Sequence, residues 1–506
     1  MKQLLSNISG LFACSLFLAP GMHLLAQERV TQKKPNIIFF LVDDMGWMDC
    51  TVNGSRYYET PNMERLAKRG VVFSNAYTAN PLCSPTRASI MTGKYPHRFH
   101  LTTPAGHLAP NPDAPLMHEN AAPWNKVVCP GSRTFMPLDE FTIAEALKTA
   151  GYATAHMGKW HLGHEAYWPE HQGFDLNIAG GSYPGPPSYF SPYKNVKLPD
   201  GPDKEYITDR LTTEALNYLD THKESTFYLN LWHFAVHAPY QGQMELIRKY
   251  EQKKDPRGKQ DNAIMGAMIE SMDKSLGRIM DKLDELKLAE NTILIFFSDN
   301  GGNMYDLIDG KTATNNFPLK MGKGNIHEGG VKVPCIISWP GKISPNQVSE
   351  QLISSIDFYP TLLEIAGLKP LKNQILDGVS LCPLLLKGKV LKKRELYCHF
   401  PHYVPATDNY PSTSVRMGDW KLIRVYGEGL DQTSAYELYN LKTDVGESNN
   451  LAAANPKLVA KLDKLIENHV NETQGIFPII NPKYKVGTES PMGIKPVFPI
   501  DKYPSY

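Results

Sequence analysis

The chain has 506 residues, enough for a large core and two domains. Its 53 basic and 52 acidic side chains nearly cancel, which excludes a global field drawing the protein to nucleic acid or a membrane surface. Any recognition of an anion must therefore be local.

Residues 1 to 26 carry Lys2, an apolar run from Leu11 to Leu18, and small or helix-breaking residues up to Ala26. This reads as a secretory signal peptide, too short and broken to span a membrane. The mature protein is expected to be exported, periplasmic or secreted, without stable membrane insertion. Cys14 follows Leu11-Phe12-Ala13, but apolar residues continue beyond it, so a lipoprotein anchor is not expected. Seven cysteines, six after cleavage, permit disulfides in an oxidising compartment without implying a disulfide framework.

Asn36 to Val42 is a continuous apolar run, fitting a strand buried on both faces, and it ends in Asp43-Asp44-Met45-Gly46-Trp47. Adjacent carboxylates at the carboxyl end of a buried strand stand where an open α/β sheet places its site. Thr60-Pro61 to Arg69-Gly70 reads as a capped helix before the strand Val71 to Phe73. The stretch Asn80 to Lys94 reads as a loop running into a short helix, with Pro85 in the first turn and Gly93 as the stop. Cys83 would then sit at a helix N-terminus, where unpaired N–H groups and the helix dipole favour anions. Arg87, one turn on, points the same way.

From about His100 to Thr134 the chain is rich in Pro, His and Asn, and a loop of that length is expected to face substrate as a lid. Asp139 to Ala150 resumes a helix, and Tyr152 to Met157 reads as a strand entering Gly158-Lys159-Trp160-His161-Leu162-Gly163. On an extended segment Lys159 and His161 face one side. Another strand, Phe227 to Trp232, leads to His233 and to His237-Ala238-Pro239. Met265, Met268, Met272, Leu276, Ile279 and Leu283 form a helical stripe that reads as core packing.

A second apolar run, Thr292 to Ser298, ends in Asp299-Asn300-Gly301-Gly302. Asp43, Asp44, Asp299 and Asn300 make an all-oxygen set suited to Ca²⁺ or Mg²⁺ rather than zinc. Pro318 to Gly324, containing Lys323, and Glu328-Gly329-Gly330 precede a strand at Cys335 to Trp339. A helix then starts near Ser354 and ends near Gly367. The alternation of helix and strand supports a parallel sheet. From about residue 390 the texture changes to short alternating strands, such as Ser414 to Arg416 and Trp420 to Val425, followed by a helix from Pro456 to Asn468. The tail from Asn471, rich in Pro, Gly and Tyr, is expected either to wrap back over the body or to be partly disordered.

Cys-x-Pro-x-Arg at Cys83, followed by Ala-Ser-Ile-Met-Thr-Gly-Lys, resembles the signature of the formylglycine-dependent, arylsulfatase-like (type I) sulfatases of the alkaline phosphatase superfamily. Gly158 to Gly163 is similar to a second signature, His237-Ala238-Pro239 to a His-x-Pro position, and Pro318 to Pro334 to a third. The resemblance implies an α/β catalytic domain over 27–389, a large mixed, mostly parallel sheet sandwiched by helices. A smaller subdomain with an antiparallel sheet, a helix and an irregular tail would occupy 390–506. It further implies that a maturation enzyme oxidises Cys83 to formylglycine, whose hydrate is the nucleophile and which also contacts the metal held by Asp43, Asp44, Asp299 and Asn300. Arg87, Lys159 and Lys323 would hold the sulfuryl group. His161 would lie beside the formylglycine, and His237 would face the leaving-group oxygen; His233 has no match.

The function implied is an exported, exo-acting sulfatase of sulfated carbohydrate, because a signal peptide and long polar loops suit a glycan better than a steroid. The alternatives are a phosphonate monoester or phosphodiester hydrolase of the same superfamily, and a catalytically silent glycan-binding relative. Candidate specificity loops lie near residues 101–136, 180–205, 303–316 and 401–413, carrying His107, His118, Asp306 and His402 without an assigned role.

Overall fold

Eight strands share one sheet: β1 (Asn36–Val42), β2 (Gly70–Phe73), β3 (Ala153–Gly158), β4 (Leu176–Ile178), β5 (Phe227–Trp232), β6 (Thr292–Ser298), β7 (Cys335–Ser338) and β8 (Gln347–Ser349). Their order is β8-β2-β7-β6-β1-β5-β3-β4, and β7 alone runs against the rest. The expected mixed, mostly parallel sheet is therefore present. This computed structural model describes residues 34–498. The signal-peptide reading, including Cys14, lies outside the described residues, as do the last eight residues of the tail.

The main helices are α1 (Pro61–Lys68), α2 (Cys83–Thr92), α3 (Ile143–Thr149), α4 (Ile207–His222), α5 (Ala263–Glu285), α6 (Phe358–Ile365) and α7 (Pro456–Glu472). Every residue of β1 and β6 is buried, which is why both are apolar between their ends rather than alternating. Alternate residues of β1 feed two cores. Ile38, Phe40 and Val42 pack with α4 and with Met265, Met268, Met272 and Leu276 of α5. Ile37, Phe39 and Leu41 pack with residues of α2, α3 and α6 on the other face. The methionine stripe is core, each such side chain contributing about 1.5–3 kcal/mol by burial.

Two helix starts differ from the sequence reading. Thr60 does not cap α1, because its hydroxyl accepts from Thr51 N–H; Asp273 of α5 accepts from Asn62 and Met63 N–H instead. The α3 helix begins at Ile143 rather than Asp139, because Thr142 and Glu145 form a reciprocal capping box there.

Beyond residue 390, β9 (Glu395–Phe400), β10 (Ser412–Met417), β11 (Trp420–Val425) and β12 (Ala435–Asn440) form an antiparallel meander. One face takes Leu462, Ile466 and Val470 of α7, which extends past Asn468 to Glu472. The other face packs Phe400, Ile423 and Tyr439 with Leu82, Ile326 and Val331, so the small sheet buttresses the loop just ahead of Cys83. A buried ionic knot crosses the same seam. Glu328 accepts from Lys421 at 3.0 Å and from Tyr77 OH at 2.6 Å, and Lys421 stands 2.9 Å from Glu447. The six described cysteines are all unpaired.

Candidate active site

The site begins with register. Val42 lies beside Ser298 across the β1–β6 pair, so the residues that follow, Asp43 and Asp299, emerge side by side at the carboxyl edge of the sheet. Asp44 turns back with φ +62, a left-handed conformation that Asp tolerates better than most residues. Asp44 N–H donates to Asp299 Oδ1 at 3.2 Å, and Asn300 Nδ2 donates to Asp44 Oδ1 at 2.8 Å. Asp43, Asp44, Asp299 and Asn300 are all buried.

Three cations reach these carboxylates from three directions. Arg87, one turn into α2 and fully buried, donates from Nε to Asp299 Oδ2 at 2.8 Å and from Nη1 to Lys159 O at 2.6 Å. Lys159 Nζ donates to Asp43 Oδ2 at 2.6 Å, and Lys323 Nζ to Asp44 Oδ2 at 2.7 Å. Lys323 arrives because its loop crosses Gly301 and Gly329 at backbone contact; a Cβ on Gly301 would collide with the Gly329 carbonyl.

Cys83 is the first residue of α2, and its Sγ lies 3.4 Å from His161 Nδ1. The segment carrying Lys159 and His161 is not extended as expected, since His161 has φ +59. That turn still aims both side chains into the site. His161 Nε2 is 3.1 Å from His107 Nδ1, and the two rings stack. His237 donates from Nδ1 to Ala238 O at 2.7 Å, which leaves Nε2 facing inward, 3.7 Å from Asp44 Oδ2.

A cavity of about 590 Å³ opens over these groups. Cys83, His161, His237 and Lys323 line its depth, with Thr103, Pro104, His107, Asn125 and Cys129 from the long loop and Tyr305 and His402–Val404 on other sides. The loop expected as a lid thus lines one side of this cavity. Among the residues left unassigned, His107 and His402 line the cavity, whereas His118 and Asp306 do not. The sequence does not point to Asn125, Tyr305 or Tyr403, because irregular loops carry no period that aims a side chain. His233 lies apart, bonded to Ser275. A separate cavity of about 670 Å³ beside Tyr250 and Asn262 contains none of these groups.

The electrostatics are short of positive charge on one side. Burial, together with Asp299, holds the Asp43 carboxyl well above the usual range despite Lys159. Burial opposes Asp44 too, but Lys323 and His237 hold it well below that range. Burial pushes the Cys83 thiol up and the His161 and His237 imidazoles well down, Lys159 and Lys323 adding to the imidazole shifts. Asp43 Oδ1 and Asn300 Oδ1 are buried without a hydrogen-bond donor. Three carboxylates and an amide oxygen, two of their atoms unpaired, fit a hard divalent cation. Among the described residues, ligand atoms of Asp43, Asp44 and His237 also fall within 4.8 Å of one another.

The sulfatase family model matches residues 35–368, and a second, N-sulphoglucosamine sulphohydrolase, C-terminal, matches residues 321–474. The chain belongs to the sulfatase family. It is accordingly a sulfuric ester hydrolase. A sulfatase of Formosa agariphila is 33% identical over 90% of this chain and 91% of its own. The N-acetylgalactosamine-6-sulfatase of Mus musculus is 34% identical over 72% of this sulfatase and 68% of its own length. Ps i-CgsB, solved also in complex with k-i-k-neocarrahexaose, superposes with a TM-score of 0.71 at 29% identity, covering 88% of this chain and 94% of that one.

Proposed function

We propose that this sulfatase, after export, hydrolyses sulfate monoesters on carbohydrate, acting at chain ends through formylglycine at position 83. The observation that carries the reading is Cys83 at a helix N-terminus, among Arg87, Lys159 and Lys323 and facing His161. A buried thiol with its pKa pushed up is a poor nucleophile as it stands, which favours the oxidised form. The carbohydrate reading draws on an N-acetylgalactosamine-6-sulfatase among the relatives and on the histidine and tyrosine rings, His107, Tyr305, His402 and Tyr403, that line the cavity. Residues 27–389 would carry the chemistry and 390–506 would wall and buttress it.

The Cys83 Sγ stands where the oxygens of an aldehyde hydrate would be. When bound or formed, Ca²⁺ or Mg²⁺ on Asp43, Asp44, Asp299 and Asn300 supplies charge neutralisation, and formylglycine supplies a hydroxyl nucleophile. This chain's residues do the rest. Lys159 and Lys323 exchange carboxylate contacts for terminal sulfuryl oxygens, and Arg87 holds Asp299 and the Lys159 carbonyl in place. His161 Nδ1, neutral because buried, can take the proton from position 83. His237 Nε2 faces the leaving-group side and protonates the departing oxygen.

The test is activity of the full chain matured with a formylglycine-generating enzyme, on defined mono- and disaccharide sulfates and on paired aryl sulfate and aryl phosphonate. Sulfate release from a sugar at a kcat/KM above the aryl sulfate is expected. Turnover of aryl phosphonate alone would overturn the reading in favour of a phosphonate hydrolase.

A further inference from the structure

The end of the chain is tied to the cleft at three places. After α7, Ile479–Ile480 pair antiparallel with Val127–Val128 of the long loop. Lys485 N–H then donates to Pro123 O, and Gly493 N–H to Pro405 O. Val497–Phe498 finally pair with Leu307–Ile308, where Leu307 N–H also donates to Pro496 O. The partners belong to three different loops, 101–136, 303–316 and 401–413, each of which lines the cavity over Cys83. This segment lies beyond both family matches, the later of which ends at residue 474.

Apolar burial does not hold the strap in place. Val486, Ile494 and Val497 are 89%, 68% and 67% exposed, so attachment falls to hydrogen bonds at a few points. Asn481 is the strongest of them and is only 2% exposed. Its Nδ2 donates to Asn125 O at 2.8 Å and Ala122 O at 3.0 Å, with Ala121 O at 3.4 Å. Its Oδ1 accepts from Ala121 N–H at 3.2 Å, and its own N–H donates to Lys126 O at 3.0 Å. Residues 121–126 belong to no helix or strand, so these carbonyls have no ladder to fall back on, although Ala122 O also accepts from Asn125 N–H at 3.0 Å. Asn125 itself lines the cavity with Cys83 and His237.

We infer that Asn481 is a positioning residue for substrate specificity: through the strap it fixes the 121–126 wall, against which the saccharide beyond the sulfated ring rests. The deep groups around Cys83 are set by β1, β6 and α2 and do not depend on it. The substrate half of this inference rests on the carbohydrate reading above; the tether does not.

The experiment compares wild type with Asn481→Ala and Asn481→Asp, the latter keeping the acceptor but losing the donor to the three carbonyls. Amide hydrogen exchange should quicken at least about tenfold across 121–128 while β1 and β6 stay protected. On a disaccharide ending in N-acetylgalactosamine 6-sulfate, KM should rise roughly tenfold, the scale of carbonyls left without a donor, with kcat nearly unchanged. On 4-nitrophenyl sulfate neither constant should move. Unchanged exchange at 121–128, or an equal loss on both substrates with β1 and β6 still protected, would overturn the inference. If Asn481→Ala loosens β1 and β6 as well, the Asp variant decides on the same readouts. If the wild type turns over the aryl sulfate but no sulfated sugar, the carbohydrate reading fails and the exchange rates alone decide the tether.

Discussion

Cys83 Sγ lies 3.4 Å from His161 Nδ1, and burial pushes the thiol pKa up and the imidazole pKa down. The pair is thus a neutral thiol beside a neutral imidazole, unlike the thiolate–imidazolium pair of a cysteine hydrolase. Active protein should therefore carry an aldehyde at position 83, read by peptide mass spectrometry. Cys83→Ala should lose at least about 10³ in kcat, the scale on which removing a nucleophile acts. An active preparation with only free thiol there would refute this.

Metal dependence has a readout besides turnover. Because Asp43 Oδ1 and Asn300 Oδ1 are buried without donors, Ca²⁺ or Mg²⁺ should raise Tm as well as restore activity after chelation. Asp299→Ala should show neither response. A Tm indifferent to both ions in the wild type would remove the metal from this site.

For His237, the contrast between substrates is the measurement. Its Nδ1 proton is committed to Ala238 O, so it protonates a leaving oxygen only from Nε2; burial and Lys323 disfavour the doubly protonated form in the free protein, so that second proton has to be taken up with the anionic ester. A sugar alkoxide needs that proton and a nitrophenolate does not, so His237→Ala should lose about 10² to 10⁴ on a sulfated sugar and far less on the aryl ester. Equal losses for His237→Ala, with a selective loss for Lys323→Ala, would move the role to Lys323.

Lys421→Met should destabilise the fold by about 3–5 kcal/mol, because it leaves Glu447 buried without its cation and Glu328 with only Arg416, at 3.7 Å. Denaturant unfolding would show it. A change below about 1 kcal/mol would place the knot with ordinary surface pairs.

Acid should loosen the seam between α7 and the body, where the His97 ring packs against His399 of β9 and His469 of α7. Burial lowers His97 well below its ordinary range, His399 to about 4 and His469 to about 3. Unfolded histidine takes its proton near pH 6.5, so below that value the unfolded chain binds more protons and stability falls as pH falls towards about 4. Tm should drop between about pH 7.5 and pH 5, and His469→Phe should flatten that slope. A wild-type Tm flat over this range would contradict it.

Much of this protein was legible without coordinates. Ile37–Val42 and Ile293–Phe297 are apolar at every position, the run that a strand buried on both faces uses; each is followed within two residues by a carboxylate because strand ends meet the site. Pro85 and Gly93 likewise bracket α2 by local backbone chemistry. Tertiary structure decided what local rules cannot reach. Register put Asp43 beside Asp299, the positive φ of His161 aimed its ring at Cys83, and Asp273, more than two hundred residues away, displaced Thr60 as the cap of α1. The tie from Asn481 to Asn125 spans 356 positions between two irregular segments. No periodicity encodes such a pairing, because it depends on where two loops are carried by the elements at their ends.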